Sequence, residues 1–123
     1  VYKEILVGTD GSVTAGIAVE RAVEVAKTSG ARLTIFSVDR PERAGHVVEQ
    51  EAAKFAGQDV NIRTKTAEGD AASLLVQEAE DGGYDLLVVG NKGMTGATRF
   101  FLGSVPNKVS HHVPCALLIV RTT

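Results

Sequence analysis

The chain has one cysteine, Cys115, among 123 residues. A single thiol cannot close an internal disulfide, which excludes a stapled secreted scaffold and fits a reducing compartment. Charge of one sign is also missing. Thirteen basic residues against fifteen acidic ones leave a formal net charge of −2. Neither nucleic acid nor an anionic membrane is therefore expected as a partner. No apolar run approaches the ~20 residues that span a bilayer. The opening VYKEILV reads as strand rather than leader, so the expected setting is cytoplasmic and soluble. Two phosphate-binding signatures are absent as well. There is no G-x-x-x-x-G-K-[ST] and no G-x-G-x-x-G, which excludes a standard P-loop nucleotidase and a standard dinucleotide binder. Repeats, linkers and low-complexity stretches are lacking too, so residues 1–123 are expected to form one domain. A chain of this length buries roughly 65% of its unfolded surface, enough for a core without staples.

Five short apolar runs punctuate the sequence: Ile5–Val7, Leu33–Val38, Val60–Arg63, Leu86–Val89 and Ala116–Val120. Helical spacing fills the gaps between them. Ala15, Ala18, Ala22, Val25 and Ala26 share one face, with Ser12 placed as N-cap and Gly30 as C-terminal stop. Pro41 to Gly57 reads as a second helix. Asp70 caps a third, which Gly82-Gly83 closes, and a last helix runs from about Ser104 to His112 before Pro114. Strands alternating with helices predict an α/β fold, a parallel sheet covered on both faces. LLVV is continuously apolar, as a strand buried on both faces should be, whereas Val60-Asn61-Ile62-Arg63 alternates and suits an edge.

In such sheets ligands bind beyond the carboxyl ends of the strands, where the strand order reverses. Two segments carry unusual residues there. VGTDGS turns from the first strand into the first helix, and GNKGMTGATRFFLGSVPNKV follows the fourth strand with four glycines. Gly90 and Gly93 permit a tight loop. Gly103-Ser104 stands before a helix, whose free N–H groups and positive dipole end accept phosphate oxygens. Pro106 in the first turn costs no hydrogen bond. Read alone, Gly103-Ser104 is equally a turn glycine and an N-cap.

The spacing Gly90-x2-Gly93-x9-Gly103-Ser104 resembles the nucleotide-binding pattern of the universal stress protein family. ILVGTDGS, GDAASLLVQEAEDGGYDLLVVG and HHVPCALLIV match that family in the same order, so the likeness spans the chain except near residues 39–57. The resemblance implies an open five-stranded parallel sheet of order 3-2-1-4-5, a Rossmann-like adenine-nucleotide-binding fold. It also implies roles. Asp10, with Thr9 beside it, would contact ribose and adenine, and Val38 would offer backbone to adenine. Gly90, Lys92 and Gly93 would line ribose and phosphates, while Gly103, Ser104 and Val105 would hold the phosphate chain. ATP is the first expected ligand, with AMP and cyclic AMP as alternatives, and Mg or Mn would ride on the phosphates. Only about Asp39 to His46 stands where the family has a longer enclosing segment. Either the pocket is more open, or part of that segment is missing from this chain.

Catalytic chemistry finds little support. His111 and His112 are adjacent, point about 100° apart on a helix, and complement its C-terminal dipole better than they bind metal. Cys115 reads as a buried strand residue without an activating partner. The last strand, ALLIV, is apolar yet lies at an edge in the implied order. Pairing with a second copy through residues 115–121 would cover it, which predicts a homodimer. The expected function is an adenine-nucleotide-binding regulator of the stress response. The rival readings are a nucleotide-independent dimeric scaffold and a slow nucleotidase.

Overall fold

In a computed structural model, residues 1–91 and 109–122 are described. Strand β1 (Glu4–Gly8) leads into α1 (Val13–Ser29), then β2 (Arg32–Val38), α2 (Pro41–Ala53) and β3 (Asn61–Ala67). Helix α3 (Ala71–Asp81), β4 (Leu86–Gly90) and β5 (Ala116–Val120) follow, and residues 109–112 are helical. All five strands are parallel, in the order β3-β2-β1-β4-β5. The implied sheet is the observed one.

The apolar runs of β1 and β4 divide their side chains between two cores. Ile5, Val7, Leu86 and Val88 pack under α1 and α2 with Ala18, Ala22 and Val48. Leu6, Leu87 and Val89 face the other way, against Ala72 and Leu75 of α3 and Val109. Strands that bury both faces read as unbroken apolar sequence because neither side of the pleat meets water. Every residue of β4 is buried.

The helix boundaries follow from their caps. Ser12 Oγ accepts from Ala15 N at 3.1 Å, and Gly30 takes the left-handed conformation at φ 68° after α1. Asp70 Oδ2 accepts from Ser73 N at 3.0 Å at the start of α3. Helix α2 ends at Ala53, short of the expected Gly57. Beyond Ala53 the bonds shorten in span, with Phe55 N donating to Ala52 O and Ala56 N to Ala53 O, until Gly57 turns the chain at φ 83°. Such tightening is usual where the last carbonyls lack partners further along.

Strand β3 corrects the sequence reading most. It covers Asn61–Ala67 rather than Val60–Arg63, pairing with β2 over seven positions from Arg32↔Asn61 to Val38↔Ala67. Its second half, Thr64-Lys65-Thr66, is exposed and polar, so no apolar signal announces it. As an edge it has little to bury, and main-chain pairing with β2 defines it. Cys115 also differs from expectation: it is half-buried and precedes β5 rather than lying within it.

Candidate nucleotide crevice

The switch point lies between β1 and β4, since β1 pairs with β2 on one side and β4 on the other. The turn after β1 and the exit from β4 therefore flank one crevice at the carboxyl ends.

On the β1 side the turn is built from its own side chains. Thr9 N donates to Phe36 O at 3.0 Å, extending the pairing of β1 with β2 by one bond. Thr9 is 1% exposed, and its Oγ1 accepts from Gly11 N at 3.1 Å. That side chain shapes the turn. Asp10 is half-buried, and its Oδ1 accepts from Ser12 N at 2.9 Å. This is the local turn that Asp-Gly pairs favour. Oδ2 has no hydrogen-bond partner among the described residues. Gly11 sits at φ 85°, where a Cβ would lie 2.9 Å from Val47 Cγ2, so α2 presses directly on the turn.

Val38 ends β2, half-buried against the α3-side core. Asp39 N then donates to Ala67 O at 3.0 Å. Only Asp39 and Arg40 separate Val38 from Pro41 at the start of α2, so the connection is shorter even than the expected Asp39 to His46. Asp39 stabilises it twice, accepting from Arg40 N at 2.7 Å and pairing with Arg43 Nε at 2.7 Å.

Across the crevice, Gly90 is buried and aligned with Val120. Asn91 continues the ladder, its N donating to Val120 O at 2.9 Å. Its side-chain Oδ1 accepts from Thr122 N at 2.9 Å and from Thr122 Oγ1 at 3.2 Å. Neither residue stands out in the sequence, because nothing local connects positions 31 apart. The structure thus brings Thr9, Asp10, Val38 and Gly90 to the carboxyl ends of β1, β2 and β4. Lys92, Gly93, Gly103, Ser104 and Val105 lie outside the described residues, as do Gly96, Arg99 and the start of the last helix.

Chemistry elsewhere is sparse. His111 and His112 are exposed, with ring centroids 6.4 Å apart, and Val113 N closes their helical turn onto Val109 O at 2.8 Å. Among the described residues no group of three or more His, Cys, Asp or Glu could hold a metal. Burial raises the pKa of the Cys115 thiol, and the Asp85 charge adds to the rise against a smaller opposing hydrogen bond to the Leu87 backbone. The protonated, weakly nucleophilic form is therefore favoured. No helix among the described residues is long and apolar enough to cross a membrane.

A parallel 3-2-1-4-5 sheet with an acidic turn at its switch point defines an α/β fold of the nucleotide-binding class. Comparison with known proteins narrows the class. The sequence profile described as the Universal stress protein family matches residues 1–54 and 42–121. The chain belongs to the universal stress protein family. A Staphylococcus epidermidis protein bearing that family's name is 34% identical over 142 residues, covering 98% of this chain and 85% of its own. A universal stress protein crystallised in complex with cAMP is 35% identical, with a TM-score of 0.84, and the match covers 99% of this chain and 98% of that one. Protein Rv1636 of Mycobacterium tuberculosis H37Rv is also 35% identical, with a TM-score of 0.68 over 99% and 97% of the two chains. The Staphylococcus alignment has 142 positions against 123 residues in this chain, so the relative carries residues without a counterpart. Both profile matches include residues 42–54, which lie within or just past α2.

Proposed function

We propose that this protein binds an adenine nucleotide in the crevice between β1 and β4 and acts as a regulator in the stress response. The Asp10 carboxylate carries the reading. One oxygen is fixed by Ser12 N, and the other has no partner among the described residues at the switch point. A carboxylate with one oxygen anchored is pre-oriented to accept from ribose hydroxyls or the adenine amine. Val38 offers backbone at the end of β2, and Gly90 admits close approach from β4. On the family pattern, Lys92, Gly93, Gly103, Ser104 and Val105 take the phosphates. Relatives support the ligand class: the 35%-identical universal stress protein was crystallised with cAMP. Cyclic AMP is accordingly the first ligand to test, followed by AMP and ATP, the last with Mg or Mn on its phosphates.

Small molecules released from the denatured purified protein, identified by mass spectrometry, test this directly, alongside thermal shifts with the three nucleotides. A ligand at 100 times its dissociation constant stabilises the fold by about 2.7 kcal/mol. No bound nucleotide and no shift with any of the three would overturn the proposal. Gly103→Val should abolish binding while leaving the circular dichroism spectrum unchanged.

We further propose that the protein works as a homodimer through residues 115–121. The two sheet edges support this by their contrast. Strand β3 exposes Asn61, Arg63 and Lys65, charges and amides that discourage edge pairing, whereas β5 presents Ala116 and Ile119, the latter 43% exposed. Sedimentation of Ile119→Lys should show a monomer where the parent is a dimer. The scaffold reading, dimeric but nucleotide-independent, is favoured by the two-residue β2–α2 link, which leaves little to enclose a ligand. A dimer that shifts with no nucleotide would select it.

A further inference from the structure

We infer that Asn91 is a positioning residue of the nucleotide site, held in place by Thr122 from beyond the edge strand. The inference rests on the nucleotide reading proposed for the crevice. Asn91 is the first residue after Gly90, and from it the chain runs on to Lys92 and Gly93. Three hydrogen bonds tie Asn91 to β5 and the segment that follows it. Its main-chain N donates to Val120 O at 2.9 Å, and its Oδ1 accepts from Thr122 N at 2.9 Å and Thr122 Oγ1 at 3.2 Å.

The orientation of the amide follows from chemistry. A main-chain N–H can only donate, so the atom facing Thr122 N must be the carbonyl oxygen and not the NH2. That oxygen has two lone pairs, and the Thr122 amide and hydroxyl use both. The bonds lie in a part-buried setting, where they are stronger than in water and costly to lose.

Thr122 is 8% exposed although it stands two residues past the last strand. Residues that run on past the last element of a fold usually fray unless something ties them down. Asn91 is one tie on Thr122, and it works in both directions. The same bonds hold Thr122 against the exit from β4 and hold the backbone that leaves Gly90. Gly90 flanks the crevice, and on the nucleotide reading the direction of its backbone matters to the ligand, because sub-ångström placement of polar groups governs the strength of their contacts. Asn91 acts by holding the backbone that leaves Gly90, not by touching the ligand.

The test compares affinity with stability in the full chain. Titration calorimetry with cyclic AMP, well below the unfolding temperature, should show Asn91→Ala weakening binding at least tenfold. Thr122→Val, which keeps the N–H donor and loses the hydroxyl, should weaken it less. Asn91→Asp keeps Oδ1 as acceptor. At 1 M salt, where the screening length falls to about 3 Å, it should bind more tightly than Asn91→Ala. A merely structural tether would lower the melting temperature and leave the affinity of the folded protein unchanged.

Asn91→Ala binding cyclic AMP within twofold of the parent would overturn the inference, as would Asn91→Asp no tighter than Asn91→Ala at high salt. A parent that binds cyclic AMP beside an unaffected variant removes this inference alone. A parent that binds none of the three adenine nucleotides removes it together with the nucleotide reading.

Discussion

The Asp10 carboxylate holds Ser12 N through Oδ1 at 2.9 Å, and that bond decides which oxygen remains for the crevice. Gly11 makes the arrangement possible. At φ 85° it occupies a conformation that side chains disfavour by about 1–2 kcal/mol, and a Cβ there would lie 2.9 Å from Val47 Cγ2. Gly11→Ala is therefore expected to cost about 1–3 kcal/mol of stability, combining the backbone penalty with overpacking. Urea denaturation measures that cost, and calorimetry should show nucleotide affinity falling with it, because the strain relaxes through Asp10. Unchanged stability would mean that α2 yields freely to the turn. A second residue gives a pH dependence. Burial, reinforced by Asp85, raises the Cys115 thiol above its ordinary range. The folded chain thus keeps its proton to higher pH than the unfolded chain does. The resulting stability is fully present below the unfolded thiol pKa and is lost as pH rises through the raised folded value. Urea midpoints measured from pH 7 to pH 10 should fall in that alkaline window, and Cys115→Ala should flatten that part of the profile.

Helix α2 shows how far an element can be read from its spacing and where the reading stops. Ala44, Val47, Val48 and Glu51 are its buried residues, spaced i, i+3, i+4 and i+7 on one stripe. The stripe is legible in the sequence; that its fourth member is a buried carboxylate is not. Glu51 has a side chain 3% exposed, with Lys54 Nζ 3.4 Å from both oxygens. Across from it, Gly16 leaves α1 without a side chain, and a Cβ there would sit 3.8 Å from Glu51 Oε2. Lys54→Met is expected to destabilise by about 1–3 kcal/mol, because it leaves a buried acceptor pair without its donor. Chemical denaturation checks this, and Glu51→Gln in the same background should recover part of the loss by removing the charge. Similar limits explain β3. Its Thr64-Lys65-Thr66 half lacks apolar residues, and only the presence of β2 makes it a strand. By contrast β1, β4 and the caps at Ser12, Asp70 and Gly30 are legible, since local chemistry fixes each. The same division runs through the site. Asp10 and Gly90 follow apolar runs and announce themselves, but the Asn91–Thr122 tie closes over 31 residues and needs the assembled sheet to exist.

At the scale of the whole molecule, the strand order gives the sheet two unlike edges and places the crevice one strand from the apolar one. Strand β5 lies beside β4, so the segment that carries the exposed Ile119 also supplies Val120 and leads to Thr122, both bonded to Asn91. Any partner that pairs with β5 therefore acts on residues that hold the exit from β4. If a second copy orders β5, it favours the arrangement of Asn91 that the nucleotide needs. Linkage then requires the reverse, with each bound nucleotide tightening the dimer by the same factor. A coupling of about 1 kcal/mol per site, at the low end of the usual range, corresponds to roughly fivefold in nucleotide affinity and, with both sites of the dimer filled, roughly 25-fold in the dimer constant. Sedimentation velocity over a dilution series, with and without saturating cyclic AMP, measures one arm. Calorimetry of the parent and of Ile119→Lys measures the other, the variant being expected to bind cyclic AMP about fivefold more weakly as a monomer. Equal dimer constants with and without the nucleotide would show the edge and the crevice to be independent, even though one short strand lies between them.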